Sequence, residues 1–177
     1  ASNLSLTGGT LPAGSSCTFS LDLMIPSNAL PGPYVNTTSS LMSGSLTVAA
    51  PAVDTLTIAP TLPAFTKTFS PDSVATDEIS VMRFIIDNSL SPSPTTALSF
   101  VDTLPTGLVV SPSPGVITSC SSATITAISG SSVVSLAGGS VGPTATCSVS
   151  VHVQAALGGV YVSTSGALST SAGSSRT

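Results

Sequence analysis

The stretch Leu136–Val153, LAGGSVGPTATCSVSVHV, shows how the chain is organised, because its pattern appears a second time in Leu6–Leu23. In both copies a leucine precedes a pair of glycines, a proline follows, and a single cysteine then opens a run of alternating polar and apolar residues. The spacing between Cys17 and Cys147 equals the spacing between the two leading leucines, so the copies match without a gap. Self-similarity at so long a period indicates tandem domains rather than a solenoid of small units.

A second pair of matching segments follows these copies. The segment YVNTT at 34–38 matches YVSTS at 161–165, at a slightly shorter offset than that of the cysteines. Residues 45–50 form a predicted closing strand in the first copy, and we expect no equivalent of it at 174–177. The chain is therefore predicted to contain the C-terminal part of a first repeat at 1–50, a proline-containing connector with a possible extra strand at 51–63, and a second repeat at 64–177 that lacks its final strand.

Short alternating segments separated by glycine and proline turns fill both copies. Thr18–Leu23 places Phe19, Leu21 and Leu23 on one face of a predicted half-buried strand, and Ile79–Asp87 is the strongest strand pattern. A turn is expected at the glycine pair 138–139, and a last strand at 160–163. No segment shows a helical period. The pattern predicts an all-β fold, an antiparallel β-sandwich with Greek-key connections.

Charge is scarce in this chain. Only 6% of the residues are charged, against about 25% in an average protein, while the net charge is −4 and the mean hydropathy is +0.55. The three basic residues, Lys67, Arg83 and Arg176, make no basic stripe, which argues against nucleic-acid binding. No segment approaches the roughly 20 apolar residues of a membrane span. We expect a surface that carries glycans or packs against copies of itself.

The three cysteines indicate the kind of cellular compartment in which the protein is found. Cys120 and Cys147 flank a strand–turn–strand pattern and are predicted to form a disulfide, with two buried free thiols as the alternative. Cys17 has no predicted partner in the chain, so it is expected to be free, to bridge another molecule, or to belong to a unit completed by another polypeptide. Disulfide formation favours a secreted, extracellular or cell-surface protein.

Several of these features together resemble a known family. The residues that carry the resemblance are Phe65, Lys67, Phe69, Ser70, Pro71, Asn88, Phe100, Asp102, Leu104, Pro105, Gly107, Leu108, Cys120, Gly138, Gly139, Cys147, Tyr161, Ser165 and Gly166. Together they resemble the function-unassigned "conserved repeat domain" of bacterial surface and secreted proteins, which consists of tandem Ig-like β-sandwiches. The likeness covers residues 64–177, and 1–50 as the rear part of a second copy. It implies a structural or adhesive role without catalytic residues.

Few side chains are candidates for a site. Lys67 is expected to pair with Asp102 or Asn88. The resemblance to bacterial surface sandwiches, some of which form a Lys to Asn or Asp isopeptide bond, adds such a bond at Lys67 as a further hypothesis. His152 is the only histidine, and we expect it to be solvent-facing rather than a metal ligand or a triad member. Weak candidates for a calcium site are Asp72, Asp77 and Glu78, and the glycosylation pattern occurs at Asn3 and Asn36.

These observations favour a non-enzymatic, extracellular structural protein without cofactors. We expect its domains to assemble into a filament, sheath or cell-surface stalk through strand or edge complementation with copies of itself or with further repeats of a longer chain. The alternative is a bacterial adhesin or glycan-binding module that binds through a loop such as 89–96, although that loop contains no aromatic residue.

Overall fold

The computed structural model describes residues 3–26 and 28–175. Within these ranges the regular secondary structure consists of fourteen strands and no helix, which confirms the all-β prediction. The strands are β1 (Gly32–Thr37), β2 (Leu41–Ser43), β3 (Leu46–Ala49), β4 (Val53–Ile58), β5 (Ala64–Ser70), β6 (Ser80–Asp87), β7 (Thr95–Thr103), β8 (Leu108–Val110), β9 (Ile117–Thr118), β10 (Thr124–Ala127), β11 (Val133–Val141), β12 (Thr146–Ala155), β13 (Ser169–Thr170) and β14 (Gly173–Ser174).

Residues 64–175 form two antiparallel five-stranded sheets. One sheet has the order β10-β11-β7-β13-β14, and the other has the order β5-β6-β12-β8, with β9 also paired to β12. The β6–β12 ladder is the longest, and its register runs without a shift from Asp87↔Thr146 to Ser80↔Val153. Strand β12 is therefore fixed on both of its sides, by β6 along one edge and by β8 and β9 along the other.

The alternating sequences of β6 and β12 explain why these strands form the centre of their sheet. Their apolar side chains at every second position are buried, and the intervening residues are half-buried or exposed. Phe84 on β6 lies 4.5 Å from Phe100 on β7, measured between ring centroids, so the two sheets bury side chains against one another. One core cluster includes residues of both sheets, among them Met82, Phe84, Ile86, Leu98, Phe100, Val134, Leu136, Val149, Val151 and Val153.

Residues 32–58 form two antiparallel sheets of two strands each, which we call the ribbon. Strand β1 pairs with β4 and, further along, β2 pairs with β3 around a two-residue turn at Gly44–Ser45. Gly44 has a φ of 62°, which a glycine adopts without steric cost. The extra strand expected in the connector is confirmed as β4.

The strand expected at Thr18–Leu23 does not form; this stretch is irregular. Its apolar residues are strongly exposed, with 59% of Phe19, 48% of Leu21 and 76% of Leu23 open to solvent. We call these three residues the open face. A strand needs a partner for its backbone N–H and C=O groups, and no described segment pairs with residues 18–23. The alternation of polar and apolar residues is therefore not sufficient to form a strand here.

Three further expectations need correction. The glycine pair 138–139 lies inside β11, where the register shifts on either side of Gly139, so a bulge replaces the expected turn. Residues 160–163 do not form a strand, although they alternate between half-buried and exposed from Tyr161 onward. Strand β14 pairs with β13 at the C-terminal end, where no closing strand was expected.

The loop after β6 is tied down by one buried amide. Asn88, which is 1% exposed, donates hydrogen bonds from Nδ2 to the carbonyl oxygens of Ser93 and Gly142, each at 2.9 Å. Its Oδ1 accepts a hydrogen bond of 3.0 Å from Thr95 Oγ1. The side chain thus joins the β6–β7 loop to the segment that leads into β12.

Replacing Asn88 by alanine should lower the free energy of unfolding by about 1–3 kcal/mol, because the carbonyl groups of Ser93 and Gly142 lose their buried donor. Urea unfolding of the full chain measures the change. The exposed Asn3→Ala variant serves as the matched control and should unfold like the wild type. Equal midpoints for the two variants would show that the Asn88 network contributes nothing measurable.

Candidate functional site

The most distinctive polar arrangement is a buried ion pair between the two sheets. Lys67 projects from β5, and its Nζ donates hydrogen bonds to Asp102 Oδ1 at 2.8 Å and Oδ2 at 2.7 Å. Asp102 lies on β7 in the opposite sheet and is fully buried, while the Lys67 side chain is 9% exposed. The sequence left Asp102 and Asn88 as alternative partners for Lys67, and the structure selects Asp102.

Aromatic rings and one hydroxyl complete the surroundings of the amine. The Phe69 and Phe84 ring centroids each lie 5.5 Å from Lys67 Nζ, a distance at which a cation is attracted to the ring face. The third hydrogen bond of the amine is donated to Ser163 Oγ. We call Lys67, Asp102 and Ser163, with these two rings, the lysine pocket. Such a setting excludes water and strengthens electrostatic interactions.

The disulfide expected from the sequence is present. Cys120 follows β9 and Cys147 lies in β12, their Cα atoms are 4.9 Å apart, and their sulfur atoms are bonded across 27 residues of sequence. Both residues are buried in the core cluster. Cys17, the residue that matches Cys147 in the first copy, is a free and exposed thiol.

His152 is half-buried rather than fully exposed to solvent. Its Nδ1 lies 3.1 Å from the carbonyl oxygen of Ser113, so the hydrogen bond requires the proton on Nδ1. The ring packs against Gly115, which has a φ of 52°. A Cβ atom at this glycine would overlap the imidazole ring, which explains why a residue without a side chain is needed there.

The Gly115→Ala variant should lose about 1–3 kcal/mol of stability, because alanine is strained at this φ and its Cβ displaces the imidazole. Thermal unfolding followed by circular dichroism checks the change. In a His152→Ala background the same substitution should cost less, since only the backbone strain remains. Identical losses in both backgrounds would exclude the steric part of this explanation.

The acidic residues proposed as weak calcium ligands do not form a ligand set. Glu78 Oε2 accepts a hydrogen bond from the backbone N–H of Ala75, and the Asp77 N–H donates to the carbonyl oxygen of Ala155. Across residues 3–26 and 28–175 no group of three or more acidic, histidine or cysteine side chains is arranged to hold a metal ion. Asn3 and Asn36, the glycosylation candidates, are both exposed.

Two clefts lie near opposite ends of strand β5. The larger, of about 300 Å³, lies beside Tyr161 and is lined by Phe69, Pro71, Leu108 and Leu157 among others. The smaller, of about 130 Å³, lies between the connector and the start of the loop considered for ligand binding. At the base of that loop, hydrogen bonds donated by the backbone N–H and the side chain of Ser89 lower the pKa of the Asp87 carboxyl.

Sequence reasoning missed a backbone contact that both copies share. Tyr161 Oη donates a hydrogen bond of 2.8 Å to the carbonyl oxygen of Leu157, and Tyr34 Oη donates one of 2.8 Å to that of Leu30. It also missed Ser163 as a neighbour of Lys67. The recurrence of tyrosine in the YVNTT and YVSTS segments was the available signal for the first contact.

No helix in the described ranges has the length and apolar character needed to cross a membrane. Comparison with curated proteins and with solved structures finds no significant match. The model of one family, described as Domain of unknown function (DUF7933), matches residues 63–177. This description mentions neither repeats nor a cell surface, so those parts of the expected resemblance stay predictions. The match covers both five-stranded sheets, and the chain belongs to the DUF7933 family.

Proposed function

We propose that this chain is an extracellular structural protein built from tandem Ig-like β-sandwich repeats. Its units assemble into a filament, sheath or cell-surface stalk because strands of one unit complete the exposed sheet face or edge of a neighbour. Partners of this kind are copies of the chain or further repeats of a longer polypeptide. The observation that carries the proposal is the contrast between the open face and its counterparts in β12.

These counterparts lie in the second copy, at the offset that relates Cys17 to Cys147. They are Val149, Val151 and Val153, and all three are fully buried, whereas the open face is about half-exposed or more. In β12 these side chains pack against the opposite sheet, and the strand itself is held by β6. Residues 18–23 have the same alternation, but they have neither an opposite sheet to pack against nor a partner strand.

Covering the open face would be strongly favourable. Burying a phenylalanine or leucine side chain contributes about 1.5–3 kcal/mol, so three of them supply a large part of a stable interface. Soluble monomers rarely leave contiguous apolar surfaces of this kind uncovered. The ribbon of residues 32–58 adds exposed apolar side chains, among them Tyr34, Val35, Leu41, Leu46 and Leu56.

The two halves of the chain also agree in strand register. In the first, Met42 pairs with Thr47 around the turn of the ribbon. The counterparts of Met42 and Thr47, at the offset that relates Tyr34 to Tyr161, are Ser169 and Ser174. These two residues pair with each other in the β13–β14 hairpin. The hydrogen bonds of these two tyrosines also correspond, because their acceptors, Leu30 and Leu157, are separated by the same offset. This agreement supports the interpretation of residues 3–50 as the rear part of a first unit whose fold is similar to that of residues 64–175.

Low charge and the disulfide are consistent with this role. A chain with only 6% charged residues offers little charge repulsion between copies, which favours close packing of like subunits. The Cys120–Cys147 bond suits an oxidising compartment, as expected for an extracellular protein.

Light scattering coupled to size-exclusion chromatography tests the proposal on the full chain with Cys17→Ser, which removes accidental cross-linking. The molar mass should rise with concentration above that of one chain of 17.2 kDa. Replacing all three open-face residues by serine should restore the mass of one chain. The control replaces their polar neighbours, with Thr18→Ser, Ser20→Thr and Asp22→Asn, and should assemble like the parent. Assembly that is unaffected by the open-face variant would refute the proposal, and no assembly at all would refute copies of the chain as the partner.

A further inference from the structure

Residues 159–164 lack a strand partner that the matching segment of the first copy has. In the first copy β1 pairs with β4, in a register that sets Tyr34 opposite Leu56 and Gly32 opposite Ile58. In the part of the chain that the structure describes, no segment pairs with residues 159–164. We call residues 159–164 the free edge.

The side chains of the free edge alternate as they do in a strand. Tyr161 and Ser163 are half-buried, whereas Val160 and Val162 are 95% and 80% exposed. Ser165, which follows directly, forms an isolated antiparallel bridge with β7. Since unpaired backbone N–H and C=O groups in such a segment are a template for another strand, the free edge can accept one.

The β13–β14 hairpin shows how such a strand would enter. Ser169 pairs with Ser174 in this hairpin, as Met42 pairs with Thr47 in the ribbon. In the ribbon, the chain continues from that turn into β4, which lies antiparallel to β1. A segment that continues from β14 in the corresponding register would therefore lie antiparallel along the free edge.

The larger cleft lies where this register would direct two apolar side chains. Gly159 and Tyr161 of the free edge line the cleft, together with apolar side chains that include Phe69. Directly opposed residues of an antiparallel pair project on the same face of the sheet. Residues at the positions of Leu56 and Ile58 would thus point into the cleft. Its volume of about 300 Å³ is sufficient, since a cavity of about 150 Å³ holds one benzene molecule.

We propose that the free edge and the larger cleft form an acceptor site for a strand of the β4 type. The ligand is an extended segment with a leucine and an isoleucine at alternate positions, supplied by a further repeat of a longer chain. This source rests on the strand complementation proposed above, whereas the fit of the strand to the site does not. Because β4 leads through residues 59–63 into β5, the strand that fills the site also joins one repeat to the next.

Amide hydrogen exchange of dilute full chain with Cys17→Ser tests the site. The probe is a second copy of residues 51–63 fused after Thr177, which places it at the offset that relates Tyr34 to Tyr161. The free edge should exchange about tenfold or more slowly in the fused chain than in the parent.

Two matched variants of the fused segment separate the cleft from the backbone pairing. Leu56→Ser with Ile58→Ser in the fused copy should abolish the protection, because the side chains that fill the cleft are lost. Thr55→Ser with Thr57→Ser changes the opposite face of the strand and should keep the protection. Equal protection in both variants would overturn the role of the cleft.

A fused chain whose free edge exchanges as fast as in the parent, while β6 and β12 stay protected, would overturn the proposal. Should the fused chain fail to fold, a synthetic peptide of residues 51–63 added to the parent provides the same test. Protection of the free edge in concentrated parent without added strand would show that a second copy supplies it, and would overturn the source proposed here. Because the test uses dilute protein, its failure leaves the open-face experiment unaffected, and failure of assembly leaves this test unaffected.

Discussion

The Asp102→Ala variant is expected to lose about 3–5 kcal/mol of unfolding free energy, the largest effect of any single substitution outside the apolar core. The substitution leaves the Lys67 ammonium between two phenylalanine rings without its counter-ion. Desolvation of a charge is tolerated only while the opposite charge is close. Guanidinium unfolding at neutral pH, monitored by circular dichroism, measures the loss.

A double variant separates the ion pair from the packing around it. Lys67→Met with Asp102→Leu removes both charges and keeps apolar bulk between the sheets, so its stability should equal or exceed that of the wild type. If the double variant is as unstable as Asp102→Ala, the pair does not act mainly through charge compensation. A near-neutral Asp102→Ala variant would contradict the burial of the pair itself.

Removing the disulfide is expected to cause the second large loss of stability. Cys120→Ala with Cys147→Ala should cost about 3 kcal/mol, because the bond closes a long loop and restricts the unfolded chain. The melting temperature should fall on the order of 10 °C. Differential scanning calorimetry under non-reducing conditions measures both quantities.

Cys17 provides the control for this experiment. Its thiol is free and exposed, so Cys17→Ala should change stability by less than about 0.5 kcal/mol. The two results together assign the stabilisation to the bridge rather than to cysteine as a residue. Equal melting temperatures for the wild type and the bridge-free variant would show that the disulfide contributes nothing to stability.

Alternation in the sequence was sufficient to predict the strands whose neighbours are in the chain. The pattern of β12 predicted that Cys147, Val149, Val151 and Val153 point inward, and all four are buried. The same pattern in residues 18–23 predicted a strand that does not form. The difference is physical: a strand is stabilised by hydrogen bonds to neighbouring strands, and the alternation of side chains says nothing about whether those neighbours exist.

The lysine pocket was only half predictable. Lys67 and Asp102 were suggested as a pair because they are a rare cation and a carboxylate on early strands of one unit. Ser163 was not, because nothing in a serine-rich segment marks the one hydroxyl that a fold directs toward an amine. The bulge at Gly139 was missed for a similar reason, since a glycine pair favours turns and bulges alike.

In the proposed assembly, residues 3–50 are the rear part of a unit that another polypeptide completes. Amide hydrogen exchange of residues 17–25, measured by mass spectrometry at low and at high concentration of the full chain, tests this proposal. We expect fast exchange in dilute protein and strong protection in the assembled state, with β6 and β12 protected throughout. Fast exchange in assembled protein, or protection already complete in dilute monomer, would contradict the proposal.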